Sequence, residues 1–217
     1  MTKQQIIKRK IREKLRIQID RNNKKRLQNK DFSLFCSNCT AGIIYHDLGM
    51  KFLSPTINMY MEAKDFIRFC GNLEEYTNCE LEKIERTELN YPVMKCKDIT
   101  LFCVHYKDEK EVKMKWKERC KRINWNNIVL MMVERDGCEM DDIIAFDKLP
   151  IEKKVIFVHK DMPEIKSAIY IPGTELSDED GDYVGDMTAY LGKMTGKRNI
   201  DKFDYIKFIN TGELKLV

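Results

Sequence analysis

The chain has no uninterrupted apolar stretch of about 18 residues, the length at which a membrane-spanning helix is first considered. Met1 to Lys10 lack the apolar centre of a secretory signal, so the expected location is the cytoplasm. Histidine is scarce, with 3 in 217 residues, and proline occurs only 5 times. No G-x-x-x-x-G-K-[ST] loop, G-x-G-x-x-G turn, G-x-S-x-G elbow or H-E-x-x-H pair is present, which removes the familiar nucleotide-binding and hydrolase signatures. Zinc has little support, because the C-x-x-C of Cys36 and Cys39 is not completed by a second pair. The sequence therefore predicts no metal site and names no cofactor. With no export signal, the 8 cysteines are expected as free thiols.

What is present is a globular composition, 43% apolar and 34% charged, in a length that suits one large domain or two small ones. The formal charge of +4 conceals an asymmetry. Residues 1–30 carry 12 Lys and Arg against Glu13 and Asp20, a net of +10, and the remaining 187 residues carry a net of −6. Basicity confined to one arm argues against a nucleic-acid-binding fold, which spreads positive charge over a folded face. Residues 3–29 read as one long basic helix, with Ile7, Ile11, Leu15 and Ile19 recurring every four positions. Its narrow apolar edge packs on the body or a partner chain, or the helix rests on an anionic membrane surface.

From Asp31 the chain alternates short apolar runs with amphipathic segments. Strands are expected at Phe32–Cys36, Leu81–Glu85, Val93–Cys96, Ile99–Val104, Ile128–Val133, Val155–Val158 and Ala168–Ile171. Helices are expected at Ala41–Leu48, 62–77, 108–122 and Asp141–Asp147, with short ones at 183–191 and 201–209. This alternation calls for an α/β fold, a three-layer sandwich around a mostly parallel sheet. The domain reading is a basic helix at 1–30 and a single α/β domain at 31–217, in which 172–217 is either a helical cap or part of the same layers.

Ligands bind beyond the carboxyl ends of parallel strands. Four apolar runs end in polar residues: Ser37-Asn38-Cys39, His105-Tyr106, Glu134-Arg135-Asp136-Gly137 and His159-Lys160. If their strands are parallel neighbours, these groups share one mouth. Cys39 opens a helix after Ser37 and Asn38, where free peptide N–H groups would hold an anion or stabilise a thiolate. Gly42 would let backbone approach closely. His46 lies too far along that helix to pair directly with Cys39, so His105 is the better base. Packing, an anion-binding turn and a Cys–His pair all remain open for Cys39. Asn124 and Trp125 would cap a helix or meet a sugar. Arg135-Asp136-Gly137 is a turn with its own ion pair or a binding loop. Asp178-Glu179-Asp180-Gly181-Asp182 fails the calcium-loop spacing and reads as a solvated acidic loop.

The runs Ser37-Asn38-Cys39-Thr40-Ala41-Gly42, Tyr45-His46-Asp47-Leu48-Gly49 and Phe52-Leu53-Ser54-Pro55-Thr56-Ile57-Asn58 resemble a bacterial domain of unknown function. Tyr91-Pro92-Val93, His105-Tyr106, Arg122-Ile123-Asn124-Trp125, Arg135-Asp136-Gly137-Cys138 and Phe146-Asp147-Lys148-Leu149-Pro150 extend the likeness over residues 31–171. Members of that family are associated with exopolysaccharide biosynthesis, and the resemblance implies a three-layer α/β fold and a surface-polysaccharide role. The expectation is a transferase acting on a sugar, sugar nucleotide or acyl-sugar. Cys39, His105 and Asp136 would be catalytic, with Ser37, Asn38, Gly42, His46, Asn124, Trp125 and Arg135 binding substrate. The alternative is a non-catalytic glycan-assembly module docked at the inner membrane or on a partner through its basic helix.

Overall fold

The computed structural model describes residues 2–85, 88–179 and 182–217. Its centre is a four-stranded parallel sheet formed by β1 (Ser33–Cys36), β5 (Ile128–Val133), β6 (Lys154–Val158) and β7 (Ala168–Tyr170), in that order. The apolar runs are continuous because both faces are covered. Alternate residues enter different cores: Leu34, Cys36, Val129, Met131, Val133, Val155 and Phe157 face one, whereas Phe35, Leu130, Met132, Ile156 and Val158 face the other. The first core is closed by α2 (Thr40–Leu48) and α7 (Tyr205–Thr211), together with a 3-10 turn at Asn199–Lys202. The second is closed by α3 (Ala63–Gly71), α4 (Leu73–Thr77), α5 (Glu109–Cys120) and α6 (Met140–Asp147).

Ile99–Val104 was expected beside the parallel strands and is not there. β2 (Glu82–Ile84), β3 (Val93–Cys96) and β4 (Ile99–Phe102) form a separate antiparallel sheet. Only Lys97 and Asp98 join β3 to β4, a span that permits a hairpin but no parallel crossover. The helix expected at 62–77 is broken at Asn72, whose extended φ of −140° separates α3 from α4. The helix expected at 183–191 is absent, because β9 (Asp182–Val184) pairs with β8 (Glu175–Glu179). Of the acidic loop, Asp180 and Gly181 lie outside the described residues.

The long helix α1 (Lys3–Arg26) is present and is seated on the body, but only part of its apolar edge is engaged, through half-buried Ile11 and Ile19. Ile7 and Leu15 are exposed, while Arg16 and Asn23 are buried. Arg16 pairs with Asp47 at 2.9 Å, Asp201 at 2.5 Å and Asp20 at 2.7 Å, and Arg198 also binds Asp47. The Asn23 amide donates to the Tyr205 hydroxyl at 2.8 Å, and the Arg12 guanidinium lies 4.2 Å from the Tyr190 ring centroid. Gly196 makes the closest approach. A Cβ at that position would meet the Leu15 Cβ at 2.7 Å and the Arg16 nitrogen at 2.8 Å. A row of polar side chains thus anchors α1 through charge pairs that sequence periodicity does not reveal.

Candidate active site

Parallel pairing brings the ends of β1, β5 and β6 to one edge of the sheet. At β1, Ser37 is committed to structure: its hydroxyl accepts from the Val133 N–H at 3.4 Å and its carbonyl accepts from the Met61 N–H at 2.9 Å. The Asn38 carboxamide oxygen accepts from the Thr40 N–H at 3.1 Å and the Thr40 hydroxyl at 2.7 Å, so it caps the start of α2. The Cys36 sulfur occupies the other part of that turn. Burial pushes its thiol up to about 11, although peptide N–H groups of Asn38 and Ala41 oppose the shift. The helix start expected to receive a ligand is therefore partly filled from within. Gly42 accommodates the chain's own loop, since a Cβ there would meet Ile57 Cγ2 at 3.3 Å and Asn58 Oδ1 at 3.4 Å.

Cys39 is half-buried, and its thiol faces the Met59 carbonyl at 3.9 Å. Burial pushes it up to about 12, and the neighbouring Cys36 thiol and the Asp186 and Asp136 carboxylates add to the rise. This environment favours the thiol over the thiolate. The His105 N–H donates to the Asn58 carbonyl at 3.4 Å, so His105 and Cys39 are both tied to the short segment Asn58–Met59. The His105 residue itself is exposed. Asn58 holds that segment with a φ of 65°, one of three non-glycine residues in the left-handed region among the described residues.

A second of the three is Asp136, at φ 57°. Its peptide N–H donates to Asp182 Oδ1 at 2.8 Å, its carbonyl accepts from the Ala63 N–H at 3.2 Å, and the Arg135 guanidinium lies 3.5 Å from its carboxylate. Arg135 is held in turn by Asp182 at 2.8 Å. Burial pushes the Asp136 carboxyl up to about 6; Asp182 and Glu62 add to the rise while Arg135 opposes it. Tyr60, stacked on Phe102 with ring centroids 4.5 Å apart, also senses Asp136 and Glu62, and burial with a hydrogen bond to Tyr91 raises its phenol further.

Beside this group, buried Glu134 accepts from both the His159 N–H and its Nδ1, each at 2.8 Å. The Glu134 carbonyl accepts from the Tyr183 and Val184 N–H groups at 3.2 and 3.0 Å, and the His159 ring stacks on Tyr183 at 5.1 Å. A carboxylate on Nδ1 fixes the imidazole tautomer and orientation.

Cys39, Arg135 and Asp136 therefore share the carboxyl edge, and the His105 backbone borders it. His46 does not join them; it lies in the last turn of α2, with its side chain exposed and its Nδ1 3.4 Å from Asp47. Asn124 and Trp125 sit at the opposite, amino edge. There the Asn124 N–H donates to the hydroxyl of Ser33, the first residue of β1, at 2.8 Å, and its amide donates to the Asp31 carbonyl at 3.1 Å. Sequence reasoning placed Glu134 and His159 at this mouth, since each follows directly on a buried strand, but gave neither a role, and it passed over Asp182 altogether. Among the described residues, no group of three or more His, Cys, Asp or Glu side chains is arranged to hold a metal ion.

No helix among the described residues is long and apolar enough to cross a membrane. The family model described as "Domain of unknown function (DUF1919)" matches residues 10–210, well beyond the 31–171 of the motif resemblance. An uncharacterized protein of Haemophilus influenzae is 38% identical over 206 residues, covering 95% of this chain and 97% of the relative. With most of its length matched, from within α1 to within α7, the chain belongs to the DUF1919 family.

Proposed function

We propose that the chain is an enzyme of surface-glycan assembly, a transferase acting on a sugar or sugar nucleotide at the carboxyl edge of its parallel sheet. The reading rests on one observation: Asp136, held in a left-handed conformation beside Arg135 and Asp182, has its carboxyl raised to about 6. Such a group is mostly ionised at neutral pH yet accepts a proton readily, as a general base requires. In the proposed step, the proton of an acceptor hydroxyl moves to Asp136. The acceptor oxygen bonds to the sugar's anomeric carbon, and the nucleotide (a nucleoside diphosphate, or the monophosphate from a CMP-sugar) departs with the electron pair of the broken C–O bond. Arg135 supplies positive charge for the anionic group, and His105 is the second candidate for proton transfer. Cys39, as a protonated thiol, lines the site rather than attacking.

A thermal-shift screen against UDP-, GDP- and CMP-sugars, followed by turnover of any stabilising compound with sugar acceptors, tests this reading. A ligand should raise the melting temperature of the wild-type chain and lose that effect in Arg135→Ala. Turnover that survives unchanged in both Asp136→Asn and His105→Ala would overturn the assignment.

A second reading, a module docked at the inner membrane, draws support from α1. Its inward row is taken up by the body, leaving Ile7, Leu15, Ile17 and basic residues such as Lys10, Lys14, Arg21 and Lys25 exposed. Each exposed cation near an anionic bilayer contributes about 1 kcal/mol. Salt-sensitive binding to phosphatidylserine vesicles, weakened by Lys10→Gln/Lys14→Gln/Arg21→Gln, is the expected result; equal binding by the variant would contradict it.

A further inference from the structure

A cavity of about 740 Å³ lies between residues 74–81 and helix α5, lined by residues of neither the sheet's carboxyl edge nor α1. Both tryptophans of the sequence line it. Trp125 is 43% exposed, and a large aromatic left in water is where a ligand's apolar face finds a partner. Trp116 is buried, and its indole N–H has no hydrogen-bond partner among the described residues. The ring of Trp116 forms the inner wall and Trp125 the exposed rim.

The charged lining narrows the class of ligand. Lys117 and Lys121, one helical turn apart and exposed, have no ion-pair partner among the described residues, whereas Lys113 is paired with Glu109 at 2.5 Å. Glu74 and Glu80 also line the cavity. Two carboxylates oppose a polyphosphate but readily accept hydrogen bonds from hydroxyl groups. A sugar ring offers hydroxyl donors at its rim and a flat C–H face for an indole, and one added carboxylate would engage the two free ammonium groups.

We propose that this cavity binds a saccharide carrying a carboxylate, in the manner of a uronic-acid unit. The proposal stands independently of the catalytic reading, because its readout is binding at a different place. Since the only two tryptophans line the cavity, tryptophan emission excited selectively over the 9 tyrosines reports on it. The full chain is titrated with tetragalacturonate and, in parallel, with neutral maltotetraose. The expected result is a saturable change with the acidic oligomer and at least a tenfold weaker response to the neutral one. Trp125→Ala, with Trp116 as the remaining reporter, and Lys117→Gln/Lys121→Gln should each weaken acidic-sugar binding about tenfold. Both variants alter exposed side chains, and circular dichroism confirms their fold. No fluorescence change at ~5 mM tetragalacturonate, unaltered affinity in either variant, or an equal response to tetraglutamate or to ATP would overturn the proposal.

Discussion

The two edges of the parallel sheet are both polar, but they dispose of their polarity differently. At the amino edge, neutral amides close on one another: Asn127 donates to Asn29 at 2.8 Å and to the Asp31 carbonyl at 2.5 Å, and Asn124 donates to Asp31. The N–H groups of Gln28 and Asn29 both donate to the Asn210 carboxamide oxygen at 3.0 Å. These bonds fasten the start of the sheet to the end of α7 and contain no charged side chain. The carboxyl edge instead gathers Glu134, Arg135, Asp136, Asp182 and His159, with one carboxyl raised to about 6. A self-satisfied amide cluster is architecture, whereas carboxylates crowded near one another, with one raised toward neutrality, are the setting that the proposed proton transfer requires.

The contrast can be broken by mutation. The largest effect is expected at Asp136: Asp136→Asn should lower kcat on an identified substrate by about 10²- to 10⁴-fold, the usual range for loss of a general base. Glu134→Ala comes next. It strips a buried acceptor from the His159 N–H and ring, and chemical denaturation should show a loss of about 2–4 kcal/mol.

The pH dependence of stability has a definite sign. Because Asp136 is raised in the folded state, the fold holds its proton where the unfolded chain has released it. The wild type should therefore lose stability relative to Asp136→Asn as pH rises from about 4 through 6, by up to about 3 kcal/mol in chemical denaturation. At the amino edge, Asn127→Ala should cost about 1 kcal/mol and leave ligand binding at the other edge unchanged. The smallest effect is chemical. Cys39, raised to about 12, should resist iodoacetamide below pH 8, as peptide mapping of the alkylated chain would show.

Much of this architecture could be read from residues alone. The six apolar residues Ile128–Val133 announced a strand covered on both faces, and α2 ends at Leu48 as expected, closed by Gly49 at φ 64°. The polar groups after β1 and β5 were correctly placed on one edge. Other features depend on partners distant in sequence. Arg16 and Asn23 look like a solvated face of α1 until Asp47, Asp201 and Tyr205 arrive from other elements to pair with them. His105 was assigned to a parallel strand because the apolar run before it hides the two-residue Lys97-Asp98 turn. Asp182 was lost in an acidic run whose local composition says nothing of the Arg135 guanidinium it meets.

The central claim is that the carboxyl edge holds a carboxyl group that titrates near neutrality. Carbon-13 NMR of the full chain with labelled aspartate, with the Asp136 signal assigned by its absence in Asp136→Asn, measures this directly. A midpoint near 6 is the expected result. A midpoint at or below the ordinary aspartate value of about 3.9 would contradict it and leave this edge as a structural ion cluster.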